Sequence, residues 1–233
     1  MTYSPPEQLL LGVSLRDEAT FDNFHVSQAN SALLRSLTTL SKDDHLTYLW
    51  GAASSGRTHL AQALCHQQAE SGLASLYLPL QEHESLAPDM LQGAEGLAMV
   101  CIDDVDAIAG ETDWEQALFQ LYNELAGTET RLVVTAACAP QYLPMQLKDL
   151  VSRLQSGAVY QLATPDDEEK RAILRKRAAI RGMDLSDQVA DFVVQRAERS
   201  LQSLMSILDK LDKASLEKGR RITIPLIKEV LGW

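Results

Sequence analysis

Eight residues constrain this chain more than any others. Gly51-Ala-Ala-Ser54-Ser55-Gly56-Arg57-Thr58 stands between an apolar run, Leu46 to Trp50, and a helical stretch from about Arg57 to Glu70 that Gly72 stops. The spacing is that of a phosphate-binding loop, with Arg57 where lysine is the usual residue. Glycines and small side chains let successive backbone N–H groups converge on phosphate oxygens at a helix N-terminus, and the Thr58 hydroxyl stands where it can ligate Mg²⁺. Taken alone, the same residues also read as a Gly/Ser turn that merely joins a strand to a helix.

The surrounding pattern extends the reading. Ser75 to Leu80 and Leu97 to Ile102 are apolar strands, Trp114, Leu118, Leu121 and Leu125 mark a helix, and Arg131 to Thr135 is a fourth strand. Alternation of this kind implies an α/β fold, a mostly parallel sheet covered by helices on both faces. Upstream, residues 1–26 carry no regular pattern, and Leu33, Leu34, Leu37 and Leu40 mark a helix behind a candidate N-cap at Ser27. After Tyr160 the chain reads as helical. Thr164 as candidate N-cap, Pro165 in the first turn and the acids 166–169 open a helix that Gly182 ends, and further helices run about 186–198, 200–218 and onward from Thr223-Ile-Pro225. The expected organisation is an irregular arm over 1–26, an α/β domain over 27–163 and a small all-α domain over 164–233.

The third strand ends in Cys101-Ile102-Asp103-Asp104. A carboxylate at a strand end opposite such a loop holds Mg²⁺ through water, so Thr58 and Asp103 are candidate metal ligands. A solvated, acid-rich strand end is the plainer alternative for the two aspartates, and the joint occurrence of loop, hydroxyl and acid in this order favours nucleotide binding.

Charge excludes one class of partner. The chain carries 21 basic and 32 acidic residues for a net −11, and residues 1–163 hold 7 basic against 20 acidic while 164–233 hold 14 against 12. Phosphate backbones repel such a surface at long range, so generic or sequence-specific DNA binding is not expected. Cys65, Cys101 and Cys138 lie 36 and 37 residues apart with no Cys-x-x-Cys pair, which suits a reducing cytoplasm, and no stretch has membrane-spanning length or the pattern of a leader. His25, His45, His66 and His83 show no ligand spacing, so no structural metal is expected.

Loop, acid pair, fourth strand, Ser152-Arg153-Leu154 and a helical lid follow the order of AAA+ P-loop nucleotide-binding domains, and the chain resembles the Hda family within the DnaA branch of that group. Thr20-Phe21-Asp22-Asn23-Phe24 is similar to the branch's segment beside the nucleotide base. Gly56-Arg57-Thr58-His59-Leu60, Cys101-Ile102-Asp103-Asp104, Ser152-Arg153-Leu154 and Thr223-Ile-Pro225 carry the closer resemblance. It implies ADP with Mg²⁺ as cofactor, and as partners DnaA and the β sliding clamp on DNA, with DnaA driven to hydrolyse its ATP. It also implies the absence of the DNA-binding domain that DnaA carries, for which the stretch after Pro225 leaves no room, and head-to-tail packing in which one protomer's arginine reaches the next nucleotide. Gln8, Leu9 and Leu11 stand where the family reaches the clamp through Gln-Leu-x-Leu; an arm packing its leucines on the protein's own core is the alternative. Arg153 resembles the family's arginine finger, against the plainer reading of a surface arginine paired to Asp149 one turn earlier.

Several positions depart from an efficient hydrolase. Asp104 is one methylene shorter than the glutamate that orients water in most AAA+ enzymes, and Ala137 replaces an acid after the fourth strand, leaving Thr135 as the polar sensor candidate. Gln202 takes the place of a lid arginine, and Arg199, one turn earlier, either substitutes for it or is a solvated lid residue. His59 either touches phosphate or packs. An autonomous ATPase resembling a helicase loader or clamp-loader subunit is the competing expectation, and a degenerate domain that binds partners without nucleotide is a third.

Overall fold

A computed structural model describes residues 15–39, 45–198, 200–219 and 221–233. Five short strands form one sheet: β1 (Leu46–Trp50), β2 (Ser75–Pro79), β3 (Met99–Asp103), β4 (Arg131–Ala136) and β5 (Ala158–Gln161). Their order is β2-β3-β4-β1-β5 and every pairing is parallel. Parallel strands need crossovers, and helices supply them on both faces, so the central strands read as near-continuous apolar runs.

Two cores result, one per face. Tyr48, Val100, Ile102, Leu132 and Val134 pack beneath α3 (Thr112–Leu125) and α4 (Lys148–Gln155). Leu49, Met99, Cys101 and Val133 face α1 (Ser31–Thr38) and α2 (Arg57–Glu70), which contribute Leu33, Leu34, Leu37, Leu60 and Leu64. A third core belongs to the C-terminal helices α5 (Asp167–Ile180), α6 (Asp187–Arg196), α7 (Leu201–Lys218) and α8 (Ile224–Leu231), built from residues such as Leu174, Val193, Leu208 and Ile227. An α/β body and a small helical lid are therefore present as the chain pattern implies.

Local starts differ from expectation in two places. Helix α5 is capped by Asp166, not Thr164: Asp166 accepts from the N–H of Glu169 at 2.8 Å and Glu169 accepts from the N–H of Asp166 at 3.0 Å. That reciprocal pair satisfies two terminal amides at once, more than a single threonine hydroxyl can do. Helix α1 starts at Ser31 behind Asn30, and Ser27 bonds instead to the N–H of Asn30 at 3.2 Å. Asn30, nearly buried, turns its amide onto Ala163, accepting from its N–H at 3.0 Å and donating to its carbonyl at 3.4 Å, which fixes the point where the chain leaves the sheet for the lid. The edge strand β5 was not foreseen; its four residues alternate between half-buried and exposed.

Glu115 of α3 is 1% exposed, and its carboxylate accepts from the N–H groups of Gly110 (2.7 Å), Gln146 (3.1 Å) and Leu147 (2.7 Å). One buried acid thus ties the loop before α3 to the start of α4, the helix that carries Arg153. Removing it orphans three amides, so Glu115→Ala should lower stability by about 3 kcal/mol, read from urea unfolding midpoints. An unchanged midpoint would show that the two segments hold without it.

Candidate functional site

The loop after β1 is shaped by backbone that side chains rarely allow. Gly56 sits at φ 101° and Ser54 at φ 66°, turning successive amides inward toward the start of α2. A Cβ on Gly51 would stand 2.7 Å from the carbonyl oxygen of Leu162 and from Ser55 Oγ, and one on Gly56 would stand 2.7 Å from the ring of Phe24. Among the described residues, the Ser55 hydroxyl and Arg57 Nε are buried without partners. Orphaned buried donors cost free energy unless something accepts from them, and a phosphate oxygen is a fitting acceptor at this helix end.

Across the carboxyl edge of the sheet lies Asp103, 2% exposed. Tyr77 donates to it at 2.7 Å and Thr135 donates to its other oxygen at 2.5 Å. Burial raises the Asp103 pKa above the ordinary carboxylate range; Thr135, Tyr77 and Thr58 pull it down, and Asp104 pushes it up. Thr58 acts on the same carboxylate from the start of α2. Among the described residues no group of three His, Cys, Asp or Glu gathers to hold a metal alone.

Thr135 does two jobs, since its Oγ1 also accepts from the N–H of Asp104 at 2.9 Å. Asp104 itself takes a left-handed backbone, φ 54°, and its carboxylate lies 2.6 Å from Arg57 Nη2. Arg57 Nη1 donates to the carbonyl of Gly51. Tyr77 and the Arg57–Asp104 pair were not foreseen. The one sequence signal for Tyr77 was a phenol in an otherwise apolar strand, whose buried hydroxyl needs a partner.

The segment from Glu18 to Phe24 folds over the loop. Phe24, 8% exposed, covers Gly56; Phe21 packs on the same core, Asp22 is exposed, and Asn23 donates to the carbonyl of Glu18 at 3.1 Å. His59 is held on three sides. Its ring lies 5.4 Å from that of Phe24, its Nε2 is 2.7 Å from the carbonyl of Thr20, and its Nδ1 is 3.0 Å from Arg177 Nη2 on lid helix α5. Arg177 also donates to the carbonyl of Glu18 at 3.0 Å, Lys176 to that of Phe24 at 3.1 Å, and Arg181 lies 3.1 Å from the Glu18 carboxylate. Lid and body are therefore joined through the segment expected beside a nucleotide base.

The remaining expected residues are placed apart. Arg153 is exposed on α4, with its guanidinium over the Tyr122 ring at 5.5 Å from the centroid; among the described residues it makes no ion pair with Asp149. Gln202 is exposed in the first turn of α7. Arg199, Gln8, Leu9 and Leu11 lie outside the described residues.

His59 yields a pH prediction. Burial chiefly, and Arg177 in addition, lower its pKa to about 4 against the pull of the Thr20 carbonyl. The unfolded chain, with an ordinary histidine near 6.5, takes up a proton that the folded chain refuses, so stability falls as pH drops from about 6.5 to about 4, by about 3 kcal/mol in all. Unfolding midpoints between pH 7 and 4 should fall more steeply for the natural chain than for His59→Gln; parallel curves would refute the assignment.

Comparison with known proteins gives two adjoining family matches. Residues 15–161 match the bacterial DnaA ATPase domain, and residues 167–231 match the Hda lid domain. Domain III of the replication initiation protein DnaA from Thermotoga maritima superposes with a TM-score of 0.78 at 25% identity, over 94% of this chain and 98% of that one. DnaA from Aquifex aeolicus, solved with AMPPCP bound, gives 0.70 at 19% identity over 88% and 68%, and RuvB from Thermotoga maritima 0.68 at 15% over 92% and 71%. The last two show shared fold alone. With the DnaA match spanning more than half of the sequence and the lid match following directly, the chain belongs to the DnaA-related AAA+ proteins and has the domain composition of the Hda family.

Proposed function

We propose that this protein is an ADP-binding regulator of replication initiation that, with the β sliding clamp loaded on DNA, stimulates hydrolysis of the ATP bound to DnaA. The observation that carries the reading is Arg153. It is an exposed cation on a helix whose start is anchored by buried Glu115, poised over Tyr122 instead of neutralised by an acid of its own helix. A guanidinium presented outward in this way can enter a neighbouring protein's nucleotide site and offset charge that develops on the γ-phosphate in the transition state, an effect of about 10³ to 10⁵ in rate in other NTPases. Membership of the DnaA-related group makes DnaA the natural recipient, and head-to-tail packing of similar domains supplies the geometry.

The chain's own site is read as a holder of adenine nucleotide. The loop from Gly51 to Thr58 receives phosphate, Thr58 and Asp103 share Mg²⁺, and Phe21 to Phe24 lie beside the base; the DnaA ATPase-domain match over residues 15–161 supports an adenine ligand. Mg²⁺ supplies charge neutralisation and orientation of the phosphates. Asp104 is short for positioning water, which suits retention of nucleotide over turnover. Clamp binding is assigned to Gln8, Leu9 and Leu11 on sequence grounds, with the two leucines as apolar anchors for a groove.

The test is a DnaA-ATP hydrolysis assay with clamp-loaded DNA. The protein should accelerate phosphate release, and no acceleration would refute the reading. Arg153→Ala should keep nucleotide and clamp binding yet lose the stimulation by at least about 10²-fold. Replacing Gln8, Leu9 and Leu11 together by alanine should abolish retention on clamp-loaded DNA without changing ADP binding; retained clamp binding would refute that assignment.

A further inference from the structure

Helix α3 grips α4 at both ends. Near the start of α3, Glu115 accepts from the N–H groups of Gln146 and Leu147, just before Lys148 opens α4. Two turns on, and so on the same face of α3, Tyr122 reaches the other end of α4. Ser156, the residue that caps α4, donates its hydroxyl to the carbonyl of Arg153 at 2.7 Å. That hydroxyl has a single proton, so in its 3.2 Å contact with Tyr122 the phenol is the donor. The Tyr122 ring is half-buried against the core beneath α3, and its centroid lies 5.5 Å from the Arg153 guanidinium. One tyrosine thus meets both the backbone, through Ser156, and the side-chain tip of the same arginine.

Resting on the reading of Arg153 as a cation that enters a neighbouring nucleotide site, we propose that Tyr122 is its positioning residue, holding the guanidinium in place before the partner arrives. An exposed arginine samples many rotamers, and the freedom it surrenders on entering a site opposes the reaction it serves. A ring that restricts the side chain beforehand removes part of that loss, and does so as an acid could not. A carboxylate holds arginine by taking its N–H donors; an aromatic face attracts the charge and leaves those donors free for phosphate oxygens. The relay through Ser156 ties the ring to the last turn of α4, so ring and guanidinium keep one spacing. Glu115 fixes the first turn of the same helix, which makes α3 the splint on which Arg153 is presented.

DnaA-ATP hydrolysis on clamp-loaded DNA, followed over a range of concentrations of the full chain, separates the maximal rate from the concentration that gives half of it. Tyr122→Leu should lower the maximal rate by about tenfold and move the half-maximal concentration by less than about threefold. Tyr122→Phe, which keeps the ring and gives up the relay, should restore the maximal rate to within about threefold of the natural chain. Tyr122→Met, likewise without an aromatic face, decides if Tyr122→Leu does not fold. A maximal rate unchanged by Tyr122→Leu while Arg153→Ala abolishes it, or a loss carried by the half-maximal concentration alone, overturns the proposal and leaves the arginine finger standing. So does a phenylalanine variant as impaired as the leucine one. If the natural chain gives no stimulation, or Arg153→Ala stimulates as well as the natural chain, the finger falls and the positioning role with it.

Discussion

A buried carboxylate at the end of β3 organises the carboxyl edge of this sheet. Asp103 gathers hydroxyls from β2 and β4, through Tyr77 and Thr135. An acid so far from water is costly unless its lone pairs are met, and here a hydroxyl on each side meets them, fixing the relative height of the strand ends. Thr135 passes the constraint on by accepting from the backbone of Asp104. The loop glycines, the acid and the paired arginine therefore form one connected structure.

The second constraint links that structure to the lid. His59 stands one residue beyond the loop and contacts both the Thr20 carbonyl and Arg177 of α5, while Glu18 receives Arg177 and Arg181. A neutral imidazole is the form that fits, because a proton on Nδ1 would face the guanidinium of Arg177. These contacts tie the segment from Glu18 to Phe24 both to the start of α2 and to the lid.

Much of the site was legible because it rests on local chemistry. The phosphate loop is contiguous, Asp103 ends an unmistakable apolar strand, and glycines at 51 and 56 are demanded by backbone that no other residue adopts there without a clash. What was not legible depends on partners distant in sequence. The cap of α5 moved to Asp166 because Glu169 answers it, a reciprocity that competes with the simpler threonine signal. Strand β5 escaped because four residues with half-exposed alternation carry little periodic signal, and only its parallel pairing with β1 makes it a strand. For Arg153 the sequence offers an arginine finger, with a surface cation paired to Asp149 as the alternative, and its place over Tyr122 depends on α3 and α4 packing side by side.

The sequence by itself determined the class of fold, the position of the phosphate loop and the division into a sheet-bearing body and a helical lid, because periodicity, turn residues and helix caps act over a few residues. Tertiary structure alone decided which charges meet. Arg57 and Asp104 are 47 positions apart and Arg177 and His59 are 118 apart, and only the strand order and the lid's docking bring them together. Electrostatic pairing falls off over ångströms of space, which the order of residues along a chain does not record.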